Sequence, residues 1–512
     1  MTVQIDSETS APEDAAEGAS YSRSQQVGLV LGPFLFILTL LFFDPENLSY
    51  PGRAVLATTL WVAIWWITEA VPIPVTALLP LVLMPITGAL DSGSVASSYG
   101  NDIIFLFLGG FFIATAMEKW NLHKRMALAI IDFVGTSAQR ILLGFMIATA
   151  FLSMWVSNTA AVMMMVPVSL AITAQVGAAL KGTPQESELP MFEKALLFGV
   201  GYAGTIGGIG TLIGTPPNII LAAQARELFD VEISFASWML IGVPVVILLL
   251  SIAWLYLGRV AFRVNIRELP GGRQLIHRER QVLGRISFEE KVVAWVFAFA
   301  AFMWISRGFI WVGLLPEITD GMVAVFATVL LFSMPAEKAQ ARRVLEWEDA
   351  VKIPWGILLL FGGGLAIASG FRETGLSEWI GTQLTMLDGF HLAVIITSAT
   401  LLILFLTELT SNTATATMIL PVVASLALAL GIHPFALMSP CAMAANCAFM
   451  LPVGTPPNAI IFATNKLTIL EMVRAGFLMN LIAVVTIVLM IYFLVPALWG
   501  LDLTSIPANF MR

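Results

Sequence analysis

Two polar motifs each occur twice in this chain, at corresponding places in two long apolar halves. The decapeptide Phe151–Ala160 (FLSMWVSNTA) recurs in similar form as Phe405–Ala414 (FLTELTSNTA), 254 residues further along. Each copy is followed by the pentapeptide GTPPN, at residues 214–218 and again at 454–458. Polar, helix-breaking residues at matching positions of two apolar repeats point to the binding site of a membrane transporter. The duplication therefore predicts a transporter whose two halves share one site.

The apolar surroundings of these motifs predict a polytopic membrane protein. Hydrophobic residues make up 58% of the 512 residues and charged residues only 12%, against about 25% charged in a typical soluble protein. Apolar runs of near-spanning length recur along the chain, including Val27–Phe43, Ala54–Ile67, Trp238–Tyr256 and Leu481–Leu498. Because a span needs roughly 20 apolar residues, we expect an all-α polytopic fold with about 11 transmembrane helices.

The positive charges predict how the chain is oriented. When the 26 Lys and Arg residues are grouped by the loops between apolar runs, 21 fall on one side. The others are Arg53, Arg226, Arg307, Arg372 and Arg512. Cytoplasmic loops attract positive charge. We therefore expect a cytoplasmic N-terminus, an outside C-terminus and an odd number of crossings of the plasma membrane (the inner membrane in a Gram-negative bacterium). The net charge of −8 gives no reason to expect a nucleic acid partner.

The segments around the two Ser-Asn-Thr motifs are predicted to be re-entrant hairpins. One, at about residues 140–181, would enter from the cytoplasm, and the other, at about 391–433, from outside. The alternative is a pair of ordinary spans in each case, which would put the polar residues 157–159 in a loop without polar flanks. We favour the hairpins, because irregular backbone at membrane depth is tolerated where it lines a cavity.

The duplication also predicts inverted repeats. Gly109 and Gly110 correspond to Gly363 and Gly364 at the same spacing of 254 residues. By the charge assignment, the span with Gly109 runs from outside to inside and the span with Gly363 runs the opposite way. Glycine pairs alone could equally mark close helix packing. Because two motif types share one spacing, we favour an inverted duplication.

Four segments follow from these observations. Residues 1–26 are acidic and polar and are predicted to form a disordered cytoplasmic tail. Residues 27–258 form the first half and residues 292–512 the second half. Between them, residues 259–291 are the longest polar segment, and we expect a cytoplasmic linker in the form of a solvated loop or a surface helix.

The two GTPPN motifs are expected to break membrane helices at 214–218 and 454–458. A Pro-Pro pair removes amide donors and restricts the residue before it, so a helix cannot continue through it. The break frees carbonyl groups, which suit a hard cation, and a half-helix N-terminus, which suits an anion. The hairpin tips add neutral amide and hydroxyl groups: Ser153, Ser157, Asn158, Thr159, Thr407, Thr410, Ser411, Asn412 and Thr413. Such groups suit sodium and carboxylates, and no soft-metal ligand accompanies them.

The motif regions contain no Lys or Arg. A dianion at mid-membrane would be costly without opposite charge. Bound Na⁺ ions could supply that charge, and they would then couple anion entry to cation entry.

Two acidic residues have alternative interpretations. Glu408 lies beside Thr407 at the second tip, where the first repeat has Met154. It could be a proton-coupling carboxylate, as intramembrane acids often are, or it could hold the hairpin by hydrogen bonds. We favour the structural role, because the repeat partner has no carboxylate. Glu69 lies near a predicted span end and is interpreted as an interfacial or packing residue.

The paired Ser-Asn-Thr tips, the paired GTPPN motifs and the segment Trp66–Pro74 (WITEAVPIP) together resemble the divalent anion–sodium symporters. The resemblance covers roughly residues 27–500. It implies a carrier for succinate, malate, fumarate, citrate or sulfate. It also implies a homodimer in which each protomer has a scaffold domain and a transport domain that moves as an elevator.

The resemblance also implies the site residues. Sodium site 1 would use Ser153, Ser157, Asn158 and Gly214, and sodium site 2 would use Thr407, Thr410, Asn412 and Gly454. The substrate would contact Asn158, Thr159, Thr215, Pro216, Asn412, Thr413, Thr455 and Pro456. Thr410 stands where the first repeat has Val156, which leaves the role of its hydroxyl group open.

We therefore expect a secondary active importer of C4-dicarboxylates that is driven by Na⁺ symport, with two or more Na⁺ ions. The alternatives are a sodium-independent or proton-coupled dicarboxylate exchanger and a sulfate or citrate carrier. We do not expect an enzyme, because no metal or nucleophile constellation surrounds the four histidines. These are His123, His277, His391 and His433, and we expect them to be solvated or packing residues.

Overall fold

The computed structural model describes residues 21–135, 137–264, 266, 272–337, 342–383, 389–507 and 510. Most of the predicted N-terminal tail lies outside the described residues. So do Arg512, at the end predicted to face outside, and residues 265 and 267–271 of the predicted linker.

The regular secondary structure of the described residues is helical, apart from one isolated bridge between Pro335 and Arg343. The first half contains α1 Arg23–Phe42, α2 Tyr50–Thr68, α3 Ile73–Thr76, α4 Leu79–Thr87, α5 Ser92–Ser98, α6 Asp102–Lys119, α7 Leu122–Val134, α8 Ala138–Ser153, α9 Asn158–Leu180, α10 Leu189–Gly208, α11 Pro216–Phe229 and α12 Phe235–Leu255. The second half contains α13 Gly272–Leu283, α14 Phe288–Ser306, α15 Val312–Leu314, α16 Asp320–Ser333, α17 Trp347–Ala350, α18 Trp355–Glu373, α19 Leu376–Gln383, α20 Leu392–Thr407, α21 Asn412–Ala429, α22 Phe435–Asn446, α23 Pro456–Phe462 and α24 Ile469–Trp499. A short 3-10 helix and two π-helical turns complete the set: Pro184–Glu188, Tyr256–Ala261 and Arg307–Trp311.

Eight helical segments among the described residues are long and apolar enough to cross a membrane. They are Arg23–Phe42, Ser92–Lys119, Asn158–Leu180, Phe235–Ala261, Phe288–Leu314, Trp355–Glu373, Asn412–Ala429 and Ile469–Trp499. Four shorter apolar segments accompany them: Ile73–Thr87, Ala138–Ser153, Asp320–Ser333 and Leu392–Thr407. The all-α polytopic prediction is confirmed. The number of crossings, their inversion and the orientation of the termini stay predictions.

The hairpin helices of the two halves have matching boundaries. Helix α20 begins and ends 254 residues after α8, and α21 begins 254 residues after α9. In each half a four-residue turn joins the two helices, at Met154–Ser157 and at Glu408–Ser411. The duplicated Ser-Asn-Thr motifs therefore lie at the tips of two helical hairpins, where each second helix begins.

Helix α1 includes the last four residues of the predicted tail, because it begins at Arg23. Its first turn is held by a capping box, in which the Ser22 side chain accepts from the Gln25 amide and the Gln25 side chain accepts from the Ser22 amide. Because these two bonds satisfy otherwise unpaired amides, the helix extends into the polar segment ahead of the apolar run.

The predicted linker contains helix α13, which packs along α7. Ion pairs join the two helices, from Lys124 to Glu279 at 3.0 Å and from Arg280 to Asp132 at 2.6 Å. These two ion pairs hold the surface helix against the first half, so Glu279 and Arg280 of the charge run are paired.

Candidate functional site

A cavity of about 800 Å³ lies between the two hairpin tips and the two GTPPN motifs. Twelve of the fourteen residues that the sequence predicts for the site line it: Ser157, Asn158, Thr159, Gly214, Thr215, Pro216, Thr410, Asn412, Thr413, Gly454, Thr455 and Pro456. Ser153 and Thr407 lie behind the tips, each bonded to the asparagine of its own tip. The two halves therefore bring their repeated polar residues to one place.

Three helices of 14 to 23 residues begin at this cavity. They are α9, α11 and α21, and their first residues, Asn158, Pro216 and Asn412, line it. Proline fits the first helical position because the amide there has no partner within the helix. The N-terminal partial positive charges of these three helices therefore face the cavity.

The asparagine of each GTPPN motif stabilises the broken backbone beside the cavity. Helix α10 ends before the first motif, and the Nδ2 of Asn218 donates to the carbonyl oxygen of Thr211 at 2.7 Å. In the second half, the Nδ2 of Asn458 donates to the carbonyl oxygen of Leu451 at 3.0 Å. Both asparagines are fully buried. These bonds satisfy carbonyl groups that the break removes from helical pairing.

The first tip contains a cluster of oxygen atoms. The Ser153 hydroxyl lies 2.5 Å from both the side-chain oxygen of Asn158 and the carbonyl oxygen of Gly204. Its single proton can satisfy only one of them. The same Asn158 atom lies 3.2 Å from the carbonyl oxygen of Gly214. If the amide is turned over, its nitrogen donates to these groups. If its oxygen faces them, the Asn158 side chain offers no donor to the carbonyl oxygens of Gly204 and Gly214.

The second tip repeats this arrangement. The Thr407 hydroxyl lies 2.6 Å from the side-chain oxygen of Asn412 and 2.8 Å from the carbonyl oxygen of Ala445. Again one proton faces two oxygens. Thr410 differs, because its hydroxyl is bonded locally, to the carbonyl oxygen of Leu406 at 2.8 Å and to the Thr415 hydroxyl at 2.6 Å.

Glu408 makes the hydrogen bonds that a structural role would require. It is only 3% exposed. Its carboxylate accepts from the backbone amides of Phe449, Met450 and Leu451, at 2.8, 2.9 and 3.1 Å, and from the Nδ2 of Asn480 at 2.7 Å. The three amides belong to the unwound segment after α22. Glu408 therefore fixes the second tip to the second break.

The charged side chain among the described lining residues lies at the solvent-exposed entrance of the cavity, its mouth, which includes Gln25 and Glu69. Among the described lining residues, Glu69 is the one charged side chain, and no Lys or Arg is present. Glu69 is exposed and ends α2 in the left-handed conformation, with a φ of 48°. Its carbonyl oxygen accepts from Gln25, another residue of the mouth. Glu69 therefore lies at the entrance and not at the tips.

Asn446 is a lining residue that our sequence prediction missed. It is the last residue of α22, is fully buried and lies between the two halves. Its Nδ2 donates to the carbonyl oxygen of Thr205 at 2.6 Å, and its Oδ1 accepts from the Thr215 hydroxyl at 2.7 Å. The available signal was an isolated amide in an alanine-rich apolar run, since polar groups inside membrane segments tend to be functional.

The histidines lie apart from the tips. His123 and His433 are buried, while His277 and His391 are exposed. His123 contacts the carbonyl oxygen of Met117 at 2.8 Å. The described part of the chain holds no group of three or more His, Cys, Asp or Glu residues arranged to bind a metal ion.

Comparison with known proteins gives close relatives. Residues 23–501 match the protein family described as the sodium:sulfate symporter transmembrane region. The sodium-dependent dicarboxylate transporter SdcS of Staphylococcus saprophyticus is 56% identical over 493 residues, which are 96% of this chain and 95% of that protein. The transporter of the same name from Staphylococcus aureus strain USA300 is 54% identical over 489 residues, 95% of this chain and 94% of that protein.

Two solved structures share the overall fold at low identity. MtrF of Neisseria gonorrhoeae, described as one of a class of antimetabolite efflux pumps, superposes with a TM-score of 0.54 at 11% identity. The match covers 93% of this chain and 95% of MtrF. The YdaH transporter of Alcanivorax borkumensis gives a TM-score of 0.50 at 9% identity over 80% of this chain and 88% of YdaH. At these identities the likeness concerns the fold alone.

Proposed function

This chain belongs to the sodium:sulfate symporter family, and on that premise we propose that it imports C4-dicarboxylates such as succinate, malate and fumarate together with Na⁺. Two relatives that align along nearly their whole length are named sodium-dependent dicarboxylate transporters. Both are transporters and not enzymes by name, in keeping with a site built from neutral polar groups.

The observation that carries the proposal is a cavity that faces three helix N-termini and has no Lys or Arg among its described lining residues. The N-termini of α9, α11 and α21 each bring roughly half an elementary positive charge to it. Three termini amount to roughly one and a half charges, slightly less than a dicarboxylate carries. Co-transported cations would supply the remaining charge.

Sodium site 1 is formed by the oxygen cluster at the first tip. With the Asn158 oxygen turned inward, the Ser153 hydroxyl and the Gly214 carbonyl are neutral hard donors of the kind that bind Na⁺. Ser157 lines the same tip. A bound Na⁺ removes the repulsion between these oxygens, so occupancy stabilises the tip.

Sodium site 2 is formed in the same way by Thr407, Asn412 and the backbone of Gly454. The Thr407 hydroxyl has one proton for two acceptors, the Asn412 side-chain oxygen and the Ala445 carbonyl oxygen, so one acceptor is left free to bind a cation. Thr410 belongs to this site by position. Because its hydroxyl is bonded to Leu406 and Thr415, it contributes only if those bonds are exchanged.

Substrate binding follows from the groups left facing the cavity. Thr159 and Thr413 occupy the second helical positions of α9 and α21. Their hydroxyls and the amide nitrogens of Asn158 and Asn412 can donate to carboxylates. Thr215, Pro216, Thr455 and Pro456 complete the wall. Na⁺ and the dianion neutralise each other inside the cavity, so each ligand raises the affinity for the other.

We assign the transport step to an elevator movement in a homodimer, as the family resemblance implies. The tips and broken helices are bonded to one another across the two halves, through Thr205, Thr215 and Asn446. Such bonds favour movement as one body. The mouth includes residues of α1 and α2, such as Gln25 and Glu69. With the predicted orientation, this cavity opens to the cytoplasm.

The test is uptake of labelled succinate into proteoliposomes that contain the purified chain. A Na⁺ gradient is expected to drive accumulation, and an equal K⁺ gradient is not. Malate and fumarate should compete more strongly than sulfate or citrate. Failure to move succinate under any ion gradient would reject the proposal.

The same assay discriminates the second candidate, a proton-coupled or sodium-independent dicarboxylate exchanger. Glu408, a buried carboxylate, is the observation that favours it. An exchanger needs internal dicarboxylate and not Na⁺. Succinate uptake that follows a pH gradient, or preloaded malate, in the absence of Na⁺ would therefore support the exchanger over the symporter.

A further inference from the structure

The orientation of the Asn446 side-chain amide is fixed by a backbone carbonyl group. Its Nδ2 lies 2.6 Å from the carbonyl oxygen of Thr205, which can only accept a hydrogen bond. The Oδ1 of Asn446 must therefore point the other way, where it accepts from the Thr215 hydroxyl at 2.7 Å. Both partners of Asn446 belong to the first half, although Asn446 belongs to the second.

This fixed oxygen faces the amide of Asn158. The Nδ2 of Asn158 lies 3.4 Å from the Oδ1 of Asn446. If the Asn158 amide turned over, two amide oxygens would face each other at that distance and the hydrogen bond would be lost. Asn446 therefore favours the orientation in which the Asn158 oxygen points to Ser153 and Gly214.

In the orientation that Asn446 favours, the Asn158 side chain offers no hydrogen-bond donor to the Gly214 carbonyl. Without a cation, the turned-over amide would be preferred, because its nitrogen donates to Ser153, Gly204 and Gly214. With Na⁺, the inward oxygen becomes a ligand. We propose that Asn446 is a positioning residue for sodium site 1, which holds the Asn158 amide with its oxygen towards the ion. The inference rests on the sodium coupling proposed above.

An orienting side-chain amide is present beside sodium site 1 but not beside sodium site 2. The carbonyl oxygens of Gly204 and Ala445 accept the corresponding bonds from the two tips, so the residues that follow them, Thr205 and Asn446, are structural counterparts. Thr205 has no side-chain amide, and its buried hydroxyl has no hydrogen-bond partner in the described part of the chain. Loss of Asn446 should therefore weaken one sodium site more than the other.

The experiment measures Na⁺-dependent thermal stabilisation of the purified full chain in detergent, with choline replacing Na⁺ at constant ionic strength. Asn446→Ala should raise the Na⁺ concentration for half-maximal stabilisation about tenfold, which corresponds to losing one hydrogen bond of typical net strength. Ser439→Ala is the matched control. Ser439 is also fully buried in α22, without a hydrogen-bond partner among the described residues. Its substitution should leave the Na⁺ dependence unchanged.

A second substitution separates positioning from general damage. In Asn158→Asp, a carboxylate oxygen faces the ion in either orientation, so the orienting contact is no longer needed. Adding Asn446→Ala to Asn158→Asp should change the half-maximal Na⁺ concentration by no more than about twofold, since the two changes act through one contact. A tenfold change in both backgrounds would mean that Asn446 acts only on packing, and the inference would be wrong.

Asn446→Asp provides a conservative variant if the alanine variant does not fold. It retains an oxygen that faces Asn158 and, when protonated at its other oxygen, can still donate to the Thr205 carbonyl group, so its half-maximal Na⁺ concentration should stay within about threefold of wild type. Na⁺ binding lost in folded Asn446→Asp would overturn the inference, as would wild-type Na⁺ dependence in Asn446→Ala. If the wild type itself shows no response to Na⁺, the sodium coupling fails, and that result is distinct from a failure of the positioning role.

Discussion

At the scale of single residues, Glu408 shows how a carboxyl group is accommodated inside an apolar protein. An ionised carboxylate is costly to bury unless hydrogen bonds satisfy it. Glu408 accepts from three consecutive backbone amides and one asparagine side chain. Its repeat counterpart is Met154, so only the second break is held by a carboxylate. We therefore interpret Glu408 as a residue that fixes the backbone of one half-site.

We predict that Glu408→Gln destabilises the protein by roughly 1–3 kcal/mol, the usual cost of leaving a buried polar group unpaired. The glutamine nitrogen would face an amide donor, because both carboxylate oxygens of Glu408 accept such bonds. Thermal unfolding in detergent measures the loss, with the exposed Glu69→Gln as control.

The same variant tests the proton-coupling alternative. If Glu408 carried the proton, Glu408→Gln would abolish the pH dependence of uptake. We expect the opposite result, a loss of stability with the pH profile of the remaining uptake unchanged.

The site residues that could be predicted from the sequence are those that occur at matching positions of the two halves. Asn158 and Asn412 were found because each repeats the other in an apolar context, and both line the cavity. Asn446 has no repeated partner of its own type, so no pattern marked it. Its importance comes from a contact between the halves, through Thr215, and a contact between distant segments is not visible in a local motif.

At the scale of secondary-structure elements, the two breaks in the membrane helices are stabilised by residues of their own GTPPN motifs. The proline pair starts each second half-helix, and the asparagine that follows reaches back to the carbonyl groups of the broken segment. The motif GTPPN is thus a structural unit as well as part of the cavity wall. Its asparagines are fully buried and lie outside the cavity lining, whereas its threonines and first prolines belong to that lining.

We predict that Asn458→Ala and Asn218→Ala each leave backbone carbonyls unpaired and cost roughly 1–3 kcal/mol of stability. Succinate uptake should fall strongly in both, because the broken segments lose their fixed shape. Unfolding and uptake assays on the same preparations measure the two effects. Ser251→Ala, which changes an exposed residue of α12, should alter neither. Full uptake in both asparagine variants would contradict this role.

The elements that the sequence did not predict depend on pairing between segments. The hairpin helices followed from the spacing of 254 residues, and α8 and α20 have matching boundaries. Helix α13 could not be placed from its charges alone, because its position depends on ion pairs with α7. The early start of α1 depends on a capping box at Ser22, a local signal that the acidic composition of the tail obscured.

At the scale of the whole molecule, one cavity is built from matching parts of two halves. Each half supplies a tip, a broken helix and a candidate cation site, and the substrate would lie between them. The bonds of Asn446 join the halves, so binding at one tip can affect the other. Because the described lining residues include no Lys or Arg, we expect tight binding of a dianion to depend on cations from solution.

The most direct test of this account is equilibrium binding of succinate to the purified chain, measured by calorimetry at several Na⁺ concentrations and constant ionic strength. We predict that the affinity for succinate rises at least about tenfold from Na⁺-free to Na⁺-saturated buffer, since ligands that stabilise each other show reciprocal coupling. Asn158→Ala and Asn412→Ala should each abolish most of this rise. Succinate affinity that is equal in K⁺ and Na⁺ would contradict the account.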